Sequence, residues 1–120
     1  MAELFAQVDE IIDALVAAGI RDTSLDPAEV NVPGVWVKAP TIVPDVLFGY
    51  TLNVDLVLIV EPVTPDRALF ALEQLFDQVA AAVGGPAGNV TPGSVIMPDR
   101  SVCPCYTYPI AVATEQTNGD

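Results

Sequence analysis

One stretch in the middle of the chain limits the fold more than any other feature. From Leu47 to Glu61, the residues Phe48, Tyr50, Leu52, Val54, Leu56, Leu58 and Val60 occupy alternate positions. A period of two puts them on one face of a strand. The other face carries Gly49, Thr51, Asn53 and Asp55, then turns apolar at Val57 and Ile59. The spacing predicts a strand half-exposed in its first part and buried on both faces in its second. Strands usually run about five or six residues. One this long is expected to project from the domain body, where its end needs a neighbour or a twist.

Amphipathic helices flank this strand in sequence. Leu4, Phe5, Val8, Ile11, Ile12, Leu15 and Val16 recur at helical spacing, with Gln7, Asp9, Glu10 and Asp13 opposite them. Gly19 is placed to end that helix at the C′ position. After the strand, Thr64 fits an N-cap, Pro65 the first helical position, and Asp66 complements the helix dipole. Leu69, Leu72, Leu75, Phe76, Val79, Ala80 and Val83 make the expected apolar stripe, and Gly84-Gly85-Pro86 the stop. Phe70 stands among Arg67, Glu73, Gln74 and Asp77, a bulky residue on the polar side.

The remaining segments read as strands broken by proline. Gly34 to Pro40 is a short strand, and Pro40 and Pro44 bracket a loop leading to the long one. Two more are expected at Asn89 to Met97, interrupted by Pro92-Gly93, and at Cys103 to Thr114. Pro104 and Pro109 remove ladder donors, which predicts an edge or bulged strand. The order is α-β-β-α-β-β. The expectation is a single two-layer α+β domain over residues 1–114, with two helices on one face of a mainly antiparallel sheet. Residues 115–120 form a polar tail.

Charge excludes whole classes of chemistry. The chain has 120 residues, 16 acids against 4 cations, no histidine, and a net charge of -12. Histidine-based triads and histidine-ligated zinc are impossible. General attraction to nucleic-acid phosphates is not expected. The start, MAELFAQVDE, carries no basic segment, so no secretory signal is expected. The apolar run Val46 to Val60 is too short for a bilayer and is interrupted by Asp55. An intracellular setting without membrane contact is the simplest expectation.

Each chemical candidate has a plainer reading. Cys103 and Cys105 fall on one strand face and could bind a soft metal or cycle as a dithiol. With no third cysteine, they read better as small buried hydrophobes. The glycines from Gly84 to Gly88 follow a helix and precede a strand, the reverse of a phosphate loop. Ser24, Ser94 and Ser101 lack a base. Lys38, the single lysine, reads as an edge guard, and Trp36 beside it as a core residue. The acids on the helices read as solvated faces. No catalytic, cofactor-binding or metal-ligating residue is expected, and the chain is read as a non-enzyme. Candidate inter-subunit contacts are Phe70, Phe48, Tyr50, Tyr106 and Tyr108.

The sequence of elements resembles a known family. The resemblance rests on the helix ending at Gly19, the proline-bounded strand Val35-Trp36-Val37-Lys38-Ala39-Pro40, and the long strand Phe48 to Val60. It continues through the helix opening Thr64-Pro65-Asp66-Arg67-Ala68-Leu69, then Thr91-Pro92-Gly93-Ser94-Val95 and Cys105-Tyr106-Thr107-Tyr108-Pro109-Ile110. Across nearly its whole length the chain resembles the tail terminator and related head–tail connection proteins of long-tailed, siphovirus-type bacteriophages, especially those of actinobacterial hosts. The resemblance implies a virion protein at the head-proximal end of the tail, assembled in the host cytoplasm. It implies a homo-oligomeric ring, usually a hexamer, that caps the tail tube, stops its polymerisation and meets a head-completion or stopper protein. DNA would only pass through the lumen, repelled by any acids lining it. Alternatives are another neck ring or a tube protein, a small ligand-binding domain, or an acidic mimic of nucleic acid.

Overall fold

The computed structural model describes residues 2–20, 22–26, 29–45 and 49–115. Two helices, α1 (Ala2–Ala17) and α2 (Pro65–Val83), pack on one face of a mostly antiparallel sheet. Among the described residues the sheet has six strands: β1 (Thr23–Ser24), β2 (Gly34–Val37), β3 (Thr41–Asp45), β4 (Gly49–Ile59), β5 (Thr91–Ile96) and β6 (Val102–Glu115). Their order is β1-β2-β4-β6-β5, with β3 also on β4 and β1 parallel to β2. The α+β class read from the sequence is the class observed.

The alternation in β4 is expressed as predicted. Leu52, Val54, Leu56 and Leu58 are fully buried under the helices. On the opposite face Asn53 is exposed, whereas Val57 and Ile59 are buried. The helix-side core joins these residues to Val8, Ile11 and Leu15 of α1 and Leu72, Leu75 and Val79 of α2. The side chains of Leu4 and Phe5 lie outside the described residues.

Helix α1 ends by the predicted device. Gly19 has φ 101°, a region that side chains with a Cβ avoid. The Ile20 N–H donates to the Leu15 carbonyl and the Gly19 N–H to that of Val16, at 3.0 Å each. Ile20 and Leu15 are both buried in the core, completing a Schellman stop. Helix α2 begins differently from the expectation. Pro65 opens it, but the Thr64 side chain does not cap the backbone. Its hydroxyl donates to the Asp66 carboxylate, which also accepts the N–H groups of Asp66 and Arg67, and these bonds hold Asp66 below the usual carboxylate range. The apolar stripe is also rotated. Ala68 is buried in the first turn and Leu69 is exposed, because the small residue permits close approach to the sheet.

The expected loop between Pro40 and Pro44 is a strand. β2 and β3 lie in succession along the same side of β4. Three residues, Lys38-Ala39-Pro40, stand opposite two, Val54-Asp55, so the register shifts by one at a bulge. The Lys38 N–H still reaches the Asp55 carbonyl at 3.1 Å. β5 likewise runs through Pro92-Gly93 without interruption.

The last strand is not an edge strand along its first half, nor is it bulged. β6 pairs with β4 from Cys105 to Glu115 in unbroken register, and with β5 from Val102 to Thr107. Its prolines are tolerated because of where their missing donors point. The Pro104 carbonyl accepts from the Val60 N–H, so its ring nitrogen faces the β4 side just where β4 ends. The Pro109 carbonyl accepts from the Ala87 N–H, so its nitrogen faces the opposite side, beyond the start of β5. Neither costs a bond within a ladder. Glu115, assigned to the tail by composition, belongs to β6, and residues 116–120 lie outside the described residues.

A second, smaller core lies on the sheet face away from the helices, in line with the burial on both faces expected for the second half of the long strand. Val30, Val57, Ile59, Met97, Cys103 and Cys105 form it, with Trp36 and Val95 packed against it. The Trp36 indole N–H donates to the Leu25 carbonyl at 3.1 Å, fastening the preceding segment over this face. Gly34 makes the crossing possible. A Cβ there would lie 2.6 Å from the Asp22 carbonyl oxygen and 2.7 Å from that of Asn31. Gly34→Ala should therefore cost about 1–3 kcal/mol of stability in a denaturant melt. An unchanged melt would contradict this packing.

Candidate assembly surfaces

The predicted interface residues divide sharply in their surroundings. Phe70 is 61% exposed on the outer side of α2. Tyr106 is half-buried. Tyr108 is fully buried and unavailable to any partner, which corrects the expectation for that residue. Phe48 and the side chain of Tyr50 lie outside the described residues; the Tyr50 backbone pairs with Pro44 and Thr114.

Tyr108 has an internal task. Its ring meets Phe76 edge-on, with centroids 5.3 Å apart. Its hydroxyl donates to the Gly84 carbonyl oxygen at the end of α2. Burial pushes the phenol upward in pKa, so it stays protonated and able to donate. The same end is tightened by the Gly84 N–H, which donates to the Ala80 carbonyl at 2.9 Å. Tyr108 thus pins the end of α2 to the middle of β6.

A groove opens beside this clasp. It has a volume of about 320 Å³ and is lined by Leu58, Leu69, Leu72, Glu73, Phe76 and Tyr106. The exposed Leu69 stands on its helix side, followed in α2 by the exposed Phe70. Past the strand end, Ile96 and Val102 face each other across the β5–β6 ladder and are 75% and 54% exposed. Their turn is built by Asp99, which accepts from the Ser101 hydroxyl at 2.6 Å and the Ser101 N–H at 3.0 Å. These bonds hold the Asp99 carboxyl below its ordinary pKa.

The other end of the molecule exposes Ile42 and Val43 of β3. Ile42 pairs with Leu52, which pairs with Val112, whereas Ile96 pairs with Val102. Ten residues of β6 separate these levels, roughly 33 Å at the usual strand rise. The long axis of 53 Å, against 25 and 24 Å across, reflects this separation. Sequence reading missed Ile42 and Val43 because the flanking prolines suggested a loop. The β-branched run Thr41-Ile42-Val43 was the available signal for a strand.

The cysteines lie in the smaller core and are both free. Burial, and secondarily the adjacent Cys103, push the Cys105 thiol upward, with Lys38 acting weakly the other way. Lys38 Nζ sits 5.4 Å from the Trp36 ring centroid. Among the described residues, no three histidine, cysteine or acidic side chains gather as a metal site. No described helix is long and apolar enough to cross a membrane.

Two measurements check these placements. Tyr108→Phe should lose about 1–2 kcal/mol in thermal or denaturant melts, because the Gly84 carbonyl loses its donor; Phe70→Ser should stay within about 0.5 kcal/mol. Both thiols are buried, and the raised pKa of Cys105 further suppresses its thiolate at about pH 8. Labelling by a thiol reagent should therefore follow global unfolding, and rapid labelling of the native protein would contradict the burial. No protein-family model matches the chain, and no curated protein matches it.

Proposed function

We propose that this protein is a structural component of a phage tail, a terminator that closes as a ring on the end of the tail tube. In this reading six copies form the ring, one face meets the tube protein and the other a head-completion or stopper protein. DNA passes through without being held. The observation that carries the reading is the separation of exposed apolar side chains on an elongated protomer. Ile42 and Val43 stand at one end, and Leu69, Phe70, Ile96 and Val102 at the other. A ring needs two unlike surfaces on each copy, arranged so that the contacts close.

Charge sets the conditions for assembly. Each copy carries -12, so neighbours repel at low ionic strength. Salt shortens the screening length to about 10 Å near 0.1 M. Light scattering and native mass spectrometry, with and without isolated tail tubes, test the reading. A closed ring, or a monomer that forms one cap at a tube end, is expected, and added salt should favour it. A persistent monomer that ignores tubes would contradict the reading, and open-ended filaments would assign the chain to the tube itself.

The groove beneath Leu69 supports a second reading as a small ligand-binding domain. Its apolar lining and volume suit a small molecule. A ligand present at about 100 times its Kd would stabilise the fold by about 2.7 kcal/mol.

A further inference from the structure

The three strands β3, β4 and β6 form an arm whose two sides differ in a way that selects a partner. β4 is paired on both sides, by β3 from Gly49 to Asn53 and by β6 over its whole length. The outer side of β3 and the outer side of β6 beyond Thr107 face away from each other. Among the described residues no strand pairs with either.

The pairing direction of each residue follows from two bonds. The Asp55 carbonyl faces β2, since it accepts from Lys38. Odd residues of β4 therefore face β2 and β3, and Tyr50 faces β6. Pro44, opposite Tyr50, consequently directs its missing donor outward, as its neighbour but one, Ile42, directs its intact N–H. On β6 the Pro109 carbonyl faces outward. Ala111, Ala113 and Glu115 therefore present N–H and C=O groups on that open side.

Proline blunts the β5 edge, blunts the β3 edge only at Pro44 while Ile42 keeps its donor, and is missing from the β6 edge beyond Pro109. The register places the ring nitrogen of Pro92 on the outer side of β5 and that of Pro44 on the outer side of β3. Prolines so placed weaken unwanted strand pairing. From Ala111 to Glu115 the β6 edge carries no proline and two alanines. Beside it, on the helix face, lies a groove of about 250 Å³ lined by residues that include Glu10, Ile11, Ala14, Val83, Ile110 and Val112. Ile42 is half-exposed and stands on the helix face, since its partner Leu52 does.

We infer that the open β6 edge of one copy takes the outer edge of β3 from a second copy, with Ile42 of that copy entering the groove beside Ile11 and Val112. This inference rests on the ring reading and deepens it. β3 and β6 run in the same direction, both antiparallel to β4. Copies repeated around a ring axis would thus join by a parallel pairing. Ile42 would offer one donor and one acceptor to two successive outward residues of β6, and Pro44 one further acceptor. Backbone bonds give such strand addition its affinity, and the pocket for the alternate side chain gives its specificity. Donor and acceptor edges lie on opposite sides of one arm, so each copy can use both at once and the contact propagates.

The test combines a proline variant with cross-linking. Ala113→Pro removes an N–H that faces the open side of β6, where no strand pairs with it among the described residues. It should leave the circular dichroism melt unchanged and abolish the ring in native mass spectrometry. Ser94→Pro on the outer edge of β5 should leave the ring intact. Separately, a copy carrying Ile42→Cys mixed with one carrying Val112→Cys, whose side chain shares the helix face with that of Ile42, should form an oxidised dimer that neither gives alone. A ring that survives Ala113→Pro, with no cross-link in the mixture, would overturn the inference while leaving the ring itself standing. Absence of any wild-type ring, with or without tubes, would remove the ring reading and this inference together.

Discussion

The eleven-residue ladder between β4 and β6 is the interaction on which the rest of the structure depends. Every strand but β1 and β5 pairs with β4 directly, and β5 is attached through β6. Both helices pack on its buried face, and the smaller core forms on its reverse. The ladder runs without a bulge because β6 places Pro104 where β4 has ended and Pro109 where its nitrogen faces away from β4. Register fixes which side chains meet the helices, since a slip by one residue would turn Leu52, Val54, Leu56 and Leu58 to the opposite face.

Those consequences extend to the surface. The helices cover the middle of the ladder and leave both ends of a long sheet beyond them. Tyr108 holds the end of α2 down, while the burial of Ala68 turns Leu69 and Phe70 outward. Apolar side chains that find no cover within one protomer therefore appear at separated places. In a solitary small protein these would be a liability for aggregation. In the proposed ring they would be the contacts, and the high negative charge would hold unassembled copies apart until geometry or screening allowed closure.

Much of this was legible in the residues. Alternation from Phe48 to Val60 gave the central strand and its change from one buried face to two. Gly19 and Pro65 marked helix ends that the structure places within a residue or two. What escaped reading depended on partners distant in sequence. The strand Thr41–Asp45 was hidden because proline blocks a ladder only when its nitrogen faces a partner, and that direction follows from register. The rotation of α2 turned on one small residue at its first turn. Tyr108 and Tyr106 stand on one face of one strand, and only the position of α2 above them makes one a clasp and the other the wall of a groove. The cysteines were read correctly as small apolar groups, but the segment that buries them is held by a tryptophan hydrogen bond no local pattern announces.

The central claim is that this chain works by assembling with itself at the end of a tube. Electron microscopy of tail tubes incubated with the purified protein tests it most directly. The account predicts a single added ring at one end of each tube, with rotational symmetry matching the tube and no further elongation. Bare tube ends beside a protein that remains folded and monomeric would contradict it.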